Sequence, residues 1–213
     1  FVHTYPDGDR DFSFYRNPGA DMMLTKDEIQ EDLIRDSRIF HFGTLSSTHE
    51  GVREATRYAI DVAKEAGCIV SFDPNLRPPL WKSLDDAKAE IEYGLGKCDI
   101  LKISDNEVEG AALLKEKYNI PLILITLGKD GSRAYYKDMK VEAAPFLQEK
   151  TIETTGAGDT FCASSLNYVL EHGLDNLTEE NLKELLTFAN AAASLITTRK
   201  GALRVMSTKE EVL

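Results

Sequence analysis

Glu153-Thr154-Thr155-Gly156-Ala157-Gly158-Asp159-Thr160-Phe161 is the stretch from which the fold is read. Two glycines two residues apart follow paired threonines. After Asp159 an apolar-periodic run begins at Phe161 and Cys162 and continues through Leu166, Val169 and Leu170. That spacing predicts a helix, with His172-Gly173 as its last turn and C-terminal glycine. The glycine turn therefore sits at a helix N-terminus, where N–H groups lack intrahelical partners and the macrodipole adds roughly half a positive charge. Glycine admits a ligand that a Cβ would push away. The result is an anion site suited to phosphate. Asp159 fits as a helix cap, and equally as a base placed where phosphate meets an attacking hydroxyl. The residues alone leave both readings open.

Outward from this turn the chain alternates strands and helices. Pro121 precedes Leu122-Ile123-Leu124-Ile125-Thr126, a continuous apolar strand of the buried parallel kind. Leu127-Gly128-Lys129-Asp130-Gly131 follows; it lacks the upstream glycine and the trailing Ser or Thr of a Walker loop. Ser132–Tyr136 and Met139–Ala143 read as a hairpin around Lys137-Asp138. Downstream, Leu182, Leu185, Leu186, Ala189, Ala193 and Ile196 share one face of a long helix, interrupted by the polar Asn190. Ser207–Leu213 reads as a final short helix. Upstream, Ile39–Gly43, a helix to Ala66 ended by Gly67, and Cys68–Asp73 form a βαβ unit. Ser83–Leu95 is a helix, Ile100–Ile103 a strand, and Ser104–Glu109 enters another helix. At the start, Phe1–Tyr5 and Asp11–Tyr15 are two short strands around the turn Pro6-Asp7-Gly8-Asp9. Thr25, with Glu28 three residues on, opens a helix through Asp36 with a capping box. The expected fold class is α/β with a mostly parallel sheet. No internal repeat or linker divides residues 1–213, so one domain is expected.

Composition narrows the partners. The chain has 213 residues, 42% hydrophobic and 29% charged, with net charge −11. Such a surface repels nucleic-acid backbones and anionic membranes, so neither is an expected partner. No apolar run approaches membrane-spanning length, and no signal peptide is visible. Cys68, Cys98 and Cys162 have no metal-like spacing and sit in or beside apolar runs, which reads as buried thiols in a reducing cytoplasm. Phe1 already lies inside an apolar-alternating run, so the chain is expected to be a fragment.

The signature from Glu153 to Phe161 resembles the C-terminal signature of the ribokinase-like (PfkB) carbohydrate kinases, and among them is most similar to the fructokinases. The resemblance covers essentially the whole chain and matches the family's part after its N-terminal portion. It implies a three-layer αβα fold and a small β lid at residues 1–21 through which a homodimer could form. It also implies transfer of the ATP γ-phosphate to a ketose hydroxyl, fructose giving fructose 6-phosphate. A 2-keto-3-deoxygluconate kinase and a truncated nucleotide-binding module without turnover are the alternatives. A dinucleotide oxidoreductase is disfavoured, because Phe161 stands where a third glycine would be needed.

Carried over residue by residue, Gly156, Ala157 and Gly158 form the anion hole and Asp159 is the base. Arg16, in Phe14-Tyr15-Arg16, matches a position near the sugar; a solvated arginine at a strand end is the plain alternative. Asp73-Pro74-Asn75-Leu76-Arg77 looks like the family's Asp-Pro-Asn-x-Arg segment, with Asp73, Asn75 and Arg77 exposed by stiffening prolines to meet sugar and phosphate. Thr126, Gly128 and Gly131 resemble a turn at the nucleotide. Asn190 falls where the family has an adenine-edge residue, although a satisfied core residue also fits. Lys200-Gly201 resembles a late glycine loop near nucleotide and cation. Glu107 matches the glutamate of an Asn-x-x-Glu motif that supports Mg²⁺ through water; Ser104 replaces the asparagine. Glu153 stands where the family usually has Asp and, with Thr155, marks a monovalent cation site for K⁺.

Overall fold

In the computed structural model, which describes residues 1–5, 10–104 and 111–213, a hairpin opens the chain. Its strands are β1 (Val2–Thr4) and β2 (Arg10–Phe12), antiparallel with Val2 opposite Phe12. The second strand is shorter than its alternation predicts, and Tyr15 beyond it is 80% exposed. The predicted turn at residues 6–9 lies outside the described residues.

The expected helix from Thr25 to Asp36 is broken. A single 3₁₀ turn, Lys26–Glu28, is followed by extended backbone at Ile29, and only then by α1 (Glu31–Arg35). The capping contact itself is present: the Thr25 amide and hydroxyl both donate to the Glu28 carboxylate at 2.8 Å. It caps one turn and not a helix through Asp36. Glu31 is held from outside by the Tyr58 hydroxyl and within α1 by Arg35 at 3.0 Å.

Five-residue strands then build the sheet, apolar in β3 (Ile39–Gly43), β4 (Ile69–Asp73), β5 (Ile100–Ser104) and β6 (Leu122–Thr126), and alternating polar and apolar in β7 (Ser132–Tyr136) and β8 (Met139–Ala143). β3, β4 and β5 lie side by side in that order, and β7 lies beside β8. The β3–β4 and β4–β5 pairs are parallel and β7–β8 antiparallel, giving a mostly parallel sheet. Helices α2 (Glu50–Glu65), α3 (Leu84–Leu95), α4 (Ala111–Tyr118), α5 (Ala157–His172), α6 (Glu179–Ile196) and α7 (Lys209–Val212) complete the fold. The chain forms two compact units, residues 14–124 and residues 1–13 with 125–213.

In the unit of residues 14–124, α2 buries Val52, Ala55, Ala59, Ile60 and Ala63, the spacing of one helical face. Phe72 of β4 is wholly buried and stacks on Phe42 of β3 at 4.6 Å between ring centroids. Burying such a ring stabilises by about 1.5–3 kcal/mol. Gly94 in α3 exists because of it: a Cβ there would lie 2.5 Å from the Phe72 ring. In the other unit α5 packs on α6. Phe161, Cys162 and Val169 are buried from α5, and Leu182, Leu185, Leu186, Ala189 and Ile196 from α6, as the periodicity predicts. The three cysteines are buried and form no disulfide among the described residues, and burial pushes the Cys98 thiol up to about 12.

The packing of Phe72 against Gly94 sets a test. Gly94→Ala overfills the site and is expected to reduce unfolding free energy by about 1–3 kcal/mol in a denaturant titration. An unchanged midpoint would mean that the ring has room to move.

Candidate active site

The glycine turn is built within the unit of residues 1–13 and 125–213. Gly156 caps α5 in the left-handed region, at φ 81° and ψ −4°. Its carbonyl accepts the first helical bond, from the Thr160 amide at 2.8 Å. The amides of Gly156, Gly158 and Asp159 have no partner among the described residues. Ala157 corrects the expected anion hole: its amide donates to the Thr154 carbonyl at 3.3 Å, a long bond that closes the turn. The open donors are therefore Gly156, Gly158 and Asp159 at the positive end of a 16-residue helix. The Asp159 side chain is exposed and makes no hydrogen bond or ion pair among the described residues.

The C-terminal loop wraps this turn. The amides of Ile152 and Glu153 donate to the Thr197 carbonyl at 2.8 and 3.2 Å. Gly201, at φ 125°, gives its amide to Glu153 Oε2 at 3.3 Å. Glu153 is 6% exposed and no side-chain cation pairs with it among the described residues. Thr155 Oγ1 is buried and has no hydrogen-bond partner. A buried carboxylate is normally paired or bound to a metal, so these oxygens fit a cation. Lys200 beside them is exposed. Arg199 fastens the loop to Glu211 of α7 by two bonds, at 3.0 and 3.3 Å. Those bonds hold the Glu211 carboxyl below its ordinary range. Their contribution is therefore present at neutral pH and is lost as pH falls through the lowered value.

The turn after β6 is also ordered locally. The Leu127 amide donates to the Gly131 carbonyl at 2.9 Å. Gly128 (φ 56°) has open space around its α-carbon, whereas a Cβ on Gly131 would lie 2.1 Å from the Ala143 carbonyl oxygen. Gly131 thus serves the hairpin's close packing. Asn190 is buried and its amide nitrogen donates to the carbonyls of Ala143 and Ala144, at 3.3 and 2.9 Å. That nitrogen clamps α6 to β8 and is not open to an adenine ring. A groove of ≈ 1200 Å³ between α5, α6, β8 and α7 is lined by Phe146, Tyr168, His172, Phe188 and Leu213 among others, and holds none of the expected site residues.

The unit of residues 14–124 carries the expected sugar side. Arg16 is no solvated strand-end arginine: its side chain is 15% exposed, pairs with Asp21 and donates to the Leu45 carbonyl at 3.3 Å. The loop after β4 differs from its expectation at Asp73. The prolines do not expose that carboxylate; it is buried, 3.0 Å from Lys102 Nζ on β5. Its Oδ1 accepts the amide of Asn75, which is left-handed at φ 43°. Arg77 is half-buried, with Nη1 donating to the Leu76 carbonyl at 3.1 Å. The Thr44 amide and hydroxyl grip the Pro74 carbonyl. Gly43 is needed beside it, since a Cβ would stand 2.8 Å from the Asp73 carbonyl oxygen. Sequence reading missed Gly43, Thr44 and Lys102; the visible signal was a lysine inside the apolar run Ile100-Leu101-Lys102-Ile103. Glu107, the expected Mg²⁺ support, lies outside the described residues.

Known proteins resemble this chain along its whole length. The pfkB family carbohydrate kinase pattern matches residues 1–209. The chain is 41% identical over 223 aligned residues to a protein named probable fructokinase-2 from Arabidopsis thaliana, covering 100% of the chain and 68% of that relative. Among solved structures it is similar to a fructokinase with bound ATP from Xylella fastidiosa, at TM-score 0.86 and 28% identity, over 99% of this chain and 71% of that one. It is also similar to a fructokinase from Vibrio cholerae O395 with fructose, ADP and calcium bound, at TM-score 0.84 and 26% identity, over 99% and 71% of the two chains. The three-layer ribokinase-like architecture expected from the signature is the fold shared with these structures.

The left-handed turn can be tested directly. A Cβ at Gly156 would meet Ile196 Cδ1 at 3.3 Å on a backbone that L-residues avoid. Gly156→Ala is expected to cost about 1–2 kcal/mol of stability in a urea titration. No loss would show that the turn relaxes out of the left-handed region.

Proposed function

The chain belongs to the pfkB family of carbohydrate kinases, and from that premise we infer that it transfers the γ-phosphoryl group of ATP to a hydroxyl of fructose, giving fructose 6-phosphate. The observation that carries the reading is the exposed Asp159 carboxylate at the start of α5, beside the unpartnered amides of Gly156 and Gly158. A kinase needs that combination. Phosphoryl transfer passes through a loose transition state, so positioning and charge stabilisation supply most of the acceleration. Amides fixed in a turn present dipoles to the phosphoryl oxygens without reorganising. Asp159 takes the proton from the sugar hydroxyl as its oxygen attacks phosphorus and the bond to the ADP oxygen breaks.

The choice of fructose follows the relatives' names and the bound sugar of the Vibrio structure. Those relatives do not favour a 2-keto-3-deoxy sugar acid. Arg16, Asn75 and Arg77 are the proposed sugar and phosphate contacts, since guanidinium groups suit such oxygens. Gly128, Thr126, Lys200 and Gly201 are the proposed nucleotide side. Mg²⁺ bound with ATP would neutralise charge between the phosphates. The buried Glu153 carboxylate and the Thr155 hydroxyl are the proposed holders of K⁺. Three unbridged thiols and an ATP-dependent reaction suit the cytoplasm.

Asp159→Asn, made in the protein carrying this sequence, is expected to retain ATP-analogue binding and lose turnover by at least about two orders of magnitude. Near-normal turnover would remove Asp159 from the mechanism. In a sugar panel read by ADP release, fructose is expected to give the highest kcat/KM. A higher value for 2-keto-3-deoxygluconate would transfer the assignment to that acid.

A further inference from the structure

Lys102 was no part of the expected site, yet its surroundings single it out. It sits on β5, whose Leu101 lies opposite Phe72 of β4, so Lys102 stands beside Asp73. The two side chains are 8% and 7% exposed and their charged atoms are 3.0 Å apart. A lysine at such depth is rare unless paired. A purely structural sheet would place an apolar pair here, because desolvating two ions offsets most of their attraction. The pair lies where β4 ends and the Asp73–Trp81 loop begins. Asp73 is held by Lys102 through one oxygen and uses the other to accept the Asn75 amide. That bond fixes the left-handed turn at Asn75 and so sets where Leu76 and Arg77 leave the sheet.

We propose that Lys102 is the positioning residue of this loop: by anchoring the Asp73 carboxylate it holds Asn75 and Arg77 in the geometry that receives the sugar. The sugar-binding half of this statement rests on the fructokinase reading; the anchoring half does not.

Trp81 closes the loop and is the chain's only tryptophan, so its fluorescence reports this segment alone. The full chain is compared with Lys102→Met, Lys102→Arg and the double variant Lys102→Met/Asp73→Asn. In Lys102→Met, acrylamide quenching of Trp81 is expected to rise about twofold while far-UV circular dichroism stays native, as for a locally loosened segment. Lys102→Arg keeps the charge and stays near the wild-type value. The double variant regains melting temperature, because no unpaired charge is left buried, but keeps the raised quenching. In turnover, Lys102→Met is expected to raise the KM for fructose roughly tenfold while kcat and the KM for ATP change far less, and Lys102→Arg restores most of the loss.

If the double variant recovers quenching together with melting temperature, the pair is structural and the proposal falls. It falls also if Lys102→Met folds and alters neither quenching nor the KM for fructose. Should Lys102→Met fail to fold, the double variant and Lys102→Arg decide the matter. Raised quenching in a protein whose wild type does not phosphorylate fructose upholds the anchor and refutes the fructokinase reading; fructose turnover with unaltered quenching and KM does the reverse.

Discussion

A left-handed glycine at the mouth of a long helix is the constraint on which the rest depends. At φ 81° Gly156 turns the backbone so that α5 starts immediately, with the Gly158 and Asp159 amides left over at its end. The remainder of that unit keeps this geometry in place. Helix α6 packs along α5, and the loop from Thr197 to Gly201 folds back on Glu153. The arrangement also answers an electrostatic problem. A chain of net charge −11 repels nucleotides at long range, so binding must come from a local field. Fixed amide dipoles supply one without adding a side-chain cation.

The two units hold their loops by different means. Around Gly156 most of the work is done by backbone, by amides, carbonyls and glycines at positive φ, with the Glu153 carboxylate and the Arg199–Glu211 pair fastening the loop. At the end of β4 it is done by a buried ion pair, a hydroxyl and one close approach at Gly43. The first gives donors that stay open to an incoming anion. The second fixes a carboxylate by burying it, and passes that rigidity to Asn75 through one amide bond. Both bring polar groups to the ends of sheet strands or helices, where the scaffold limits their movement.

What was legible in the sequence follows from how local each determinant is. The run Leu122–Thr126 has no polar interruption, and it is a buried strand. Ser83 before Leu84 is a helix cap by its own chemistry, and its hydroxyl accepts the Asp86 amide. The glycine turn was legible because φ above zero needs glycine and the helical period begins right after it. Non-local partners decided the remainder. Thr25 and Glu28 made their capping contact, but the helix beyond them broke because nothing local specifies its length. Asp73 reads as exposed next to three prolines until Lys102, 29 positions later, is placed beside it. Asn190 reads equally as core or contact until the carbonyls of Ala143 and Ala144 occupy its nitrogen. Ala157 likewise reads as an open donor until Thr154 closes the turn.

The most direct measurement of the central claim is the backbone amide spectrum of the chain titrated with ATP, residue by residue. The account predicts saturable shifts at the amides of Gly156, Gly158 and Asp159 and little movement at Tyr168 and His172 in the groove between α5 and α6. Shifts confined to that groove, with the α5 N-terminus unmoved, would contradict it.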